Sequence, residues 1–197
     1  MLPPAKTLTI TLGKPGHHMK NLKINIPKLF VLLSCVILFG CAQLSTQFKT
    51  AEEPVGGERA RLRIIANSLV KAVPNKSCID WSAPGAGTVF GGIVGSSGYR
   101  RRTLDMPAPS SNHEDMGEMY VTAGQPFTLV FMTTPEGIVY KGYKYNCSIS
   151  GSFIPENKKN YEAKLKLDPT LKICSFELIE IGEINKPIQI NQASNCK

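Results

Sequence analysis

Apolar residues recur at every second position in several stretches of the chain after residue 58. Between Tyr161 and Leu167 they alternate with one glutamate and two lysines, and over residues 59–64 they alternate with three arginines. Successive side chains of a β-strand point to opposite faces. This period of two therefore predicts strands with one apolar face for a core and one polar face for solvent.

Further short strands are predicted between turn signals. Residues 127–132 are rich in β-forming side chains, and Asp168-Pro169-Thr170 is typical of a turn. Two more apolar faces are made by Tyr143, Tyr145, Cys147 and Ile149 on one strand, and by Cys174, Phe176 and Leu178 on another. Many short strands separated by turns predict an all-β domain, an antiparallel β-sandwich, over residues 59–197.

A basic segment and a short apolar segment precede this domain. Lys20, Lys23 and Lys28 lead into an apolar run of eleven residues at positions 29–39. A helix that spans a bilayer needs about 20 apolar residues, so this run is too short for a permanent span. A basic region, a short apolar region and then a small residue are typical of a secretory signal peptide.

The end of the apolar segment, Leu38-Phe39-Gly40-Cys41, resembles the lipobox of bacterial lipoproteins. The resemblance implies that signal peptidase II cleaves before Cys41 and that Cys41 carries a diacylglyceryl group and a further acyl chain. Two or more chains anchor a protein stably. Ala42 follows the cysteine, which implies the outer membrane with the domain facing the periplasm; the inner membrane and surface exposure are the alternative locations. The alternatives are a plain secretory signal and a core helix with a coincidental cysteine.

These features divide the chain into four parts. We expect translation to begin at Met19, which makes residues 1–18 a start-site artefact or a disordered segment, and residues 19–40 the signal peptide. Residues 41–58 contain Pro54, Gly56 and Gly57 without hydrophobic periodicity, which predicts a lipidated flexible tether. Residues 1–40 hold five lysines and no acidic residue, so their removal lowers the formal charge from +8 to +3. The charge therefore does not indicate a nucleic-acid partner.

Four of the six cysteines remain after processing, since Cys35 is removed and Cys41 is lipidated. Thiols of exported domains are normally oxidised, and four cysteines allow three pairings. A metal site is the alternative, but the chain has no CxxC spacing and no histidine near these cysteines.

One pairing is favoured by the strand pattern. Cys147 and Cys174 lie on the apolar faces of two predicted strands that flank the strand around Tyr161. We therefore predict a Cys147–Cys174 disulfide. This leaves Cys78–Cys196 to tie the C-terminal tail to the start of the domain.

No catalytic arrangement is recognisable in the sequence. His113, in the polar segment around Asp115, is a candidate metal ligand or general base, although a solvated loop explains it equally. The chain has no GxSxG motif, and the paired cysteines leave no thiol nucleophile. Glu177 and Glu180 lie close together, but on opposite faces of a predicted strand. We therefore predict no catalytic residue, metal or cofactor.

Two other segments have distinctive compositions. Residues 84–98 contain six glycines but lack the Gly-Lys-Ser/Thr of a phosphate loop and the βαβ context of a dinucleotide site, which predicts a mobile loop. The basic run Arg100-Arg101-Arg102 is predicted to be a solvated strand end, with contact to acidic lipid or polysaccharide as the alternative.

Several short segments resemble those of small, uncharacterised proteobacterial envelope lipoproteins. They are residues 59–63, 104–107, 121–126, 153–156 and 161–162, the last two lying between Cys147 and Cys174. The resemblance implies an immunoglobulin-like or transthyretin-like sandwich by analogy, and it transfers no catalytic residue.

The sequence thus predicts a non-catalytic lipoprotein with a binding or scaffolding role in the cell envelope and with protein partners there. The second hypothesis is an inhibitor or sensor that captures a soluble periplasmic or host protein through the glycine-rich and His113 loops. The third is a hydrolase acting on envelope glycans.

Overall fold

The computed structural model describes residues 49–91, 98–110, 115–133, 137–168, 170–171 and 173–197. The predicted start-site segment, the signal peptide, the lipidation residue Cys41 and His113 lie outside the described residues. The described part of the chain contains no helix long and apolar enough to cross a membrane.

The described residues form short strands joined by turns and loops. In chain order the strands are β1 (Arg59–Ile65), β2 (Leu69–Pro74), β3 (Gly87–Phe90), β4 (Met116–Thr122), β5 (Phe127–Met132), β6 (Ile138–Tyr140), β7 (Tyr143–Tyr145), β8 (Ser148–Phe153), β9 (Asn160–Asp168), β10 (Ile173–Ile181), β11 (Lys186–Pro187) and β12 (Asn191–Gln192). The predicted all-β fold is confirmed.

Two five-stranded sheets make the β-sandwich. Sheet 1 has the strand order β11-β10-β9-β1-β4, sheet 2 has the order β12-β8-β5-β2-β3, and β6 and β7 form a separate hairpin. The sheets are antiparallel except for β1 and β9, which run parallel with Arg61 beside Asn160. The predicted antiparallel β-sandwich is therefore confirmed, with one parallel pair that forms because β9 crosses over from sheet 2 to sheet 1.

Side chains from the inner faces of the two sheets form the main core. Two aromatic contacts join the sheets: Phe131 lies 5.0 Å from Phe176, and Phe153 lies 5.3 Å from Tyr161, both between ring centroids. The aliphatic members with 0% exposure are Leu62, Ile64, Val70, Ala72, Val89, Met119, Leu129 and Ala163. The apolar faces predicted for β1, β9 and β10 point into this core.

One predicted strand is divided in two. The tyrosine-rich stretch was expected to continue from Tyr143 to Ile149, but β7 ends at Tyr145 and β8 begins at Ser148. Cys147 lies in the break, where its amide donates to the Thr133 side chain at 3.0 Å.

The domain begins earlier than the predicted tether allows. The tether was expected to extend to residue 58, yet Ala51 is 1% exposed and belongs to the core. The Ala51 amide donates to the Thr88 carbonyl at 2.8 Å, and the Thr88 amide donates to the Lys49 carbonyl at 2.7 Å. The prediction is wrong from residue 49 to about residue 54, because this segment packs along β3 instead of remaining in solvent.

Replacing Gly87 by alanine should separate this segment from β3. A Cβ atom at Gly87 would lie 2.5 Å from the Lys49 carbonyl oxygen and 2.7 Å from the Ala51 nitrogen, both backbone atoms. We expect Gly87→Ala to lower the free energy of unfolding, measured by urea denaturation, by about 1–3 kcal/mol. At Gly56 a Cβ atom meets nothing within 4 Å, so Gly56→Ala is the matched control. Equal losses of unfolding free energy for the two substitutions would refute the idea that the close contact of Gly87 with residues 49–51 stabilises the domain.

Both predicted disulfides are present. Cys78 pairs with Cys196 at a Cα–Cα distance of 5.1 Å, and Cys147 pairs with Cys174 at 6.0 Å. The second bond joins the two sheets, because Cys147 immediately precedes β8 of sheet 2 and Cys174 lies on β10 of sheet 1. The first bond holds the C-terminal tail against the loop that follows β2.

Candidate functional site on the outer face of sheet 1

The alternating arginines of β1 lie on the face of sheet 1 that points away from the core. The predicted polar face was expected to be solvated, but Arg63 is only 2% exposed. Its Nε donates to Glu118 Oε1 of β4 at 2.8 Å, and its Nη1 donates to Glu162 Oε2 of β9 at 3.2 Å. One buried guanidinium thus joins three neighbouring strands through two carboxylates that are each 2% exposed.

A segment without regular structure covers this cluster. We call residues 102–110 the strap. Arg63 Nη2 donates to the Pro107 carbonyl at 2.6 Å, and the Ser110 amide donates to Glu162 Oε2 at 3.2 Å. The Leu104 amide donates to Glu118 Oε2. The strap therefore supplies hydrogen-bond partners to all three charged side chains and shields them from water.

The buried cluster has the properties of a structural element. Both carboxylates accept hydrogen bonds from Arg63 and from a backbone amide of the strap, which satisfies charged groups that are costly to bury alone. Glu118 and Glu162 are closed off beneath the strap in this structure. This geometry favours a role in holding the strap on sheet 1 over a role in proton transfer to a substrate.

An open groove lies beside the buried cluster. We call this space of ≈ 590 Å³ the basic groove. It is lined by Gly57, Glu58, Arg59, Arg61, Tyr120, Asn157 and Lys158. It is built from the start of β1, the middle of β4 and the turn between β8 and β9. The register sets Arg61 opposite Tyr120 on the outer face of the sheet. The groove is large enough for a small ligand.

The cationic side chains of the groove are held by contacts that leave their charge uncompensated. The Arg59 guanidinium carbon lies 4.0 Å from the centre of the Tyr120 ring. Arg61 Nη1 donates to the Leu104 carbonyl of the strap at 2.9 Å. Of the ion pairs between described residues, none includes Arg59, Arg61 or Lys158. The groove is therefore a positively charged surface next to a buried cluster in which two carboxylates share one guanidinium.

The run of three arginines does not form a single basic patch. Arg100 pairs with Asp115, and Arg102 Nη1 lies 2.6 Å from Glu53 Oε1. Arg101 has a left-handed backbone with φ of 62° and is exposed. The predicted solvated strand end is thus partly paired with carboxylates, one of them in the segment that was expected to be tether.

The other polar residues singled out in the sequence do not meet at a site. Glu177 pairs with Lys166 at 2.7 Å and Glu180 pairs with Lys159 at 2.6 Å, so each carboxylate has its own cation. The described residues contain no group of three or more potential metal ligands. The glycine-rich stretch becomes β3 over Gly87–Phe90, while residues 92–97 lie outside the described residues.

A buried lysine lies on the outer face of sheet 2. Lys71 of β2 is 5% exposed, and its Nζ lies 4.9 Å from the centre of the Trp81 ring. Burial lowers the pKa of the Lys71 ammonium, because a charged group loses hydration when it leaves water. Trp81 and its neighbours Ala83 and Ala86 cover this face, so both outer faces of the sandwich are partly closed by loops.

The β6–β7 hairpin exposes apolar side chains. Val139 is 74% exposed and Tyr143 is 44% exposed, and the turn between the strands contains Lys141 and Gly142 in left-handed conformations. Neither strand of the hairpin pairs with the two main sheets. A group of exposed apolar and aromatic residues is typical of a surface that contacts another molecule.

Comparison with known proteins identified no relative of this chain. The chain matches no protein-family model, no curated protein and no solved structure.

Proposed function

We propose that this protein is a lipoprotein of the cell envelope, anchored through Cys41 and facing the periplasm from the outer membrane. Its role there is to bind or scaffold other envelope components without catalysis. The anchor is inferred from Leu38-Phe39-Gly40-Cys41 and the basic, apolar segment before it. The role is inferred from a sandwich that exposes a basic groove and an apolar hairpin.

The two disulfides are the structural observation that best supports the proposed location in the periplasm. Disulfides persist in oxidising compartments such as the bacterial periplasm and are rare in the cytosol. All four cysteines beyond Cys41 are paired, which supports export of the domain. The export signal and the disulfide pattern are independent properties of the sequence, and they favour the same location.

The binding role is supported by the groove and by the β6–β7 hairpin. The hairpin pairs with neither sheet and combines Val139, Tyr140 and Tyr143 with two lysines. Tyrosine is enriched in protein interfaces, where it supplies contact area with a polar end. Protein partners in the envelope therefore fit the surface of the β6–β7 hairpin better than a small substrate does.

Labelling with a fatty-acid analogue tests the anchor. We expect cells expressing the protein to incorporate alkyne-tagged palmitate into it, and Cys41→Ala to abolish the label because no other residue is acylated. Cys35→Ala is the matched control, since Cys35 belongs to the same apolar segment and is removed with the signal. The readout is fluorescence of the tagged band after gel electrophoresis.

Two results would contradict the anchor. Label that persists in Cys41→Ala would place acylation elsewhere or make it nonspecific. Loss of label in Cys35→Ala alone would mean that the lipobox assignment is wrong.

A further inference from the structure

We propose that the basic groove binds a phosphate group carried by a molecule of about the size of a sugar phosphate. This ligand deepens the proposed binding role and rests on it, but it does not depend on the lipid anchor. Three cationic side chains and one carboxylate line the groove. The excess of two positive charges makes an anion the complementary ligand.

Arg59 is oriented by an aromatic ring. Its guanidinium carbon lies 4.0 Å from the centre of the Tyr120 ring, a distance typical of a cation–π contact. A guanidinium that contacts a ring face through its carbon retains N–H donors, and these match two oxygens of a phosphate or carboxylate. The stack therefore limits the motion of Arg59 without consuming its best hydrogen-bond donors.

Lys158 is fixed beside Arg59 by the turn between β8 and β9. The Lys158 amide donates to the Arg59 carbonyl at 2.9 Å. The Lys158 backbone is left-handed with φ of 61°, a conformation that is unfavourable for a residue with a side chain. The turn thus holds a second cation next to the first, so the two charges converge on the same space.

The acidic residue of the groove offsets one of the three positive charges but forms no ion pair with any described residue. Glu58 Oε1 accepts a hydrogen bond from Asn157 Nδ2 at 2.9 Å. Arg63, two residues beyond Arg61 on the same face, is instead matched by two buried glutamates. The outer face of sheet 1 therefore changes from a buried cluster of one cation and two carboxylates to an open groove lined by three cations and one carboxylate.

The amount of charge and the volume select the ligand class. A phosphate monoester carries about −1.5 to −2 charges at neutral pH, which matches the excess of two in the groove, whereas a carboxylate carries about half of that. A volume of ≈ 590 Å³ is well above the room needed for a bare ion. Both properties favour a phosphate on a larger organic group.

Calorimetry of the full-length chain in phosphatidylcholine vesicles tests this site. Glucose 6-phosphate is the probe, and glucuronate is the matched sugar without phosphate. We expect Arg59→Gln/Lys158→Gln to weaken glucose 6-phosphate binding at least tenfold, because two charge-assisted contacts are lost. Both side chains are exposed, so the fold should tolerate the change. Lys144→Gln is the control, since it removes one charge on the β6–β7 hairpin outside the groove.

Three results would overturn the proposal. They are no detectable binding of glucose 6-phosphate, equal binding by the wild type and the double variant, and glucuronate binding as tight as that of glucose 6-phosphate. Circular dichroism of the double variant separates loss of the site from loss of the fold.

A second arm identifies the source of the phosphate. If phosphatidic acid, a lipid phosphate monoester, weakens the apparent affinity for glucose 6-phosphate when it is present in the vesicles, a lipid headgroup occupies the groove. If the affinity is unchanged, the natural ligand is soluble, and both results uphold the site. Repeating the titration with Cys41→Ala keeps the groove intact, so failure of the lipid anchor and failure of the phosphate site are distinct results.

Discussion

Replacing Cys78 and Cys196 together by alanine should lower the free energy of unfolding of the oxidised chain by about 5 kcal/mol. The two cysteines are 118 residues apart, and a crosslink that closes so long a loop removes much conformational freedom from the unfolded chain. Contacts beside the bond depend on it as well. The Ile79 amide donates to the Ser194 carbonyl at 2.8 Å, and the Cys196 amide donates to the Ile79 carbonyl at 3.1 Å.

The second disulfide provides the comparison. Cys147 and Cys174 are 27 residues apart, so their joint replacement should cost about 3.5 kcal/mol on the same model. Urea denaturation of the two double variants and the wild type, with and without reductant, gives both values. A larger loss for Cys147→Ala/Cys174→Ala would contradict the loop-length explanation. It would show that the link between the sheets matters more than the length of the loop.

Replacing Arg63 by methionine should cost about 3–5 kcal/mol of unfolding free energy. Methionine fills much of the space but leaves Glu118 and Glu162 as buried carboxylates without a cation, and breaking a buried ion pair from one side has a cost of this size. The Pro107 carbonyl also loses its donor from Nη2. We expect the strap to detach, which limited proteolysis within residues 102–110 would detect as faster cleavage.

Arg61→Met is the matched control for Arg63→Met. Arg61 lies on the same face of β1 and also contacts the strap, but it makes no ion pair with any described residue and is only partly buried. Arg61 Nη1 donates to the Leu104 and Asp105 carbonyls, the second at 3.3 Å and exposed to solvent, so its replacement should lower the free energy of unfolding by only about 1 kcal/mol. Equal losses for the two variants would show that contact with the strap, and not the buried charge, determines the stability of this region.

Local sequence pattern was sufficient to predict much of the sandwich. β5 covers Phe127–Met132 as predicted, and β1 and β9 extend their predicted cores by only one or two residues. These strands alternate, or are rich in β-forming residues, so neighbouring positions carry the signal. β2 was missed because it is buried on both faces and includes Lys71, so it lacks a polar face that would reveal its period.

The site was not predictable in the same way. The pattern around Arg63 is that of a half-exposed strand, and only the strap, which follows some 40 residues later, buries the side chain. Glu162 is 99 residues from Arg63 in sequence. The groove likewise requires Tyr120 and Lys158 to meet Arg59, which depends on the sheet order. Such contacts between distant residues have no local signature.

The parallel pairing of β1 with β9 has a consequence for the time at which the domain folds. Arg61 pairs with Asn160, so one side of the first strand has no neighbour until almost a hundred further residues are available. Proteins dominated by such non-local pairings fold in milliseconds to seconds, more slowly than those rich in local contacts. For the exported lipoprotein proposed above, this delay is an advantage. Sheet 1 cannot close until β9 has been synthesised, so early closure of this sheet would not compete with transport.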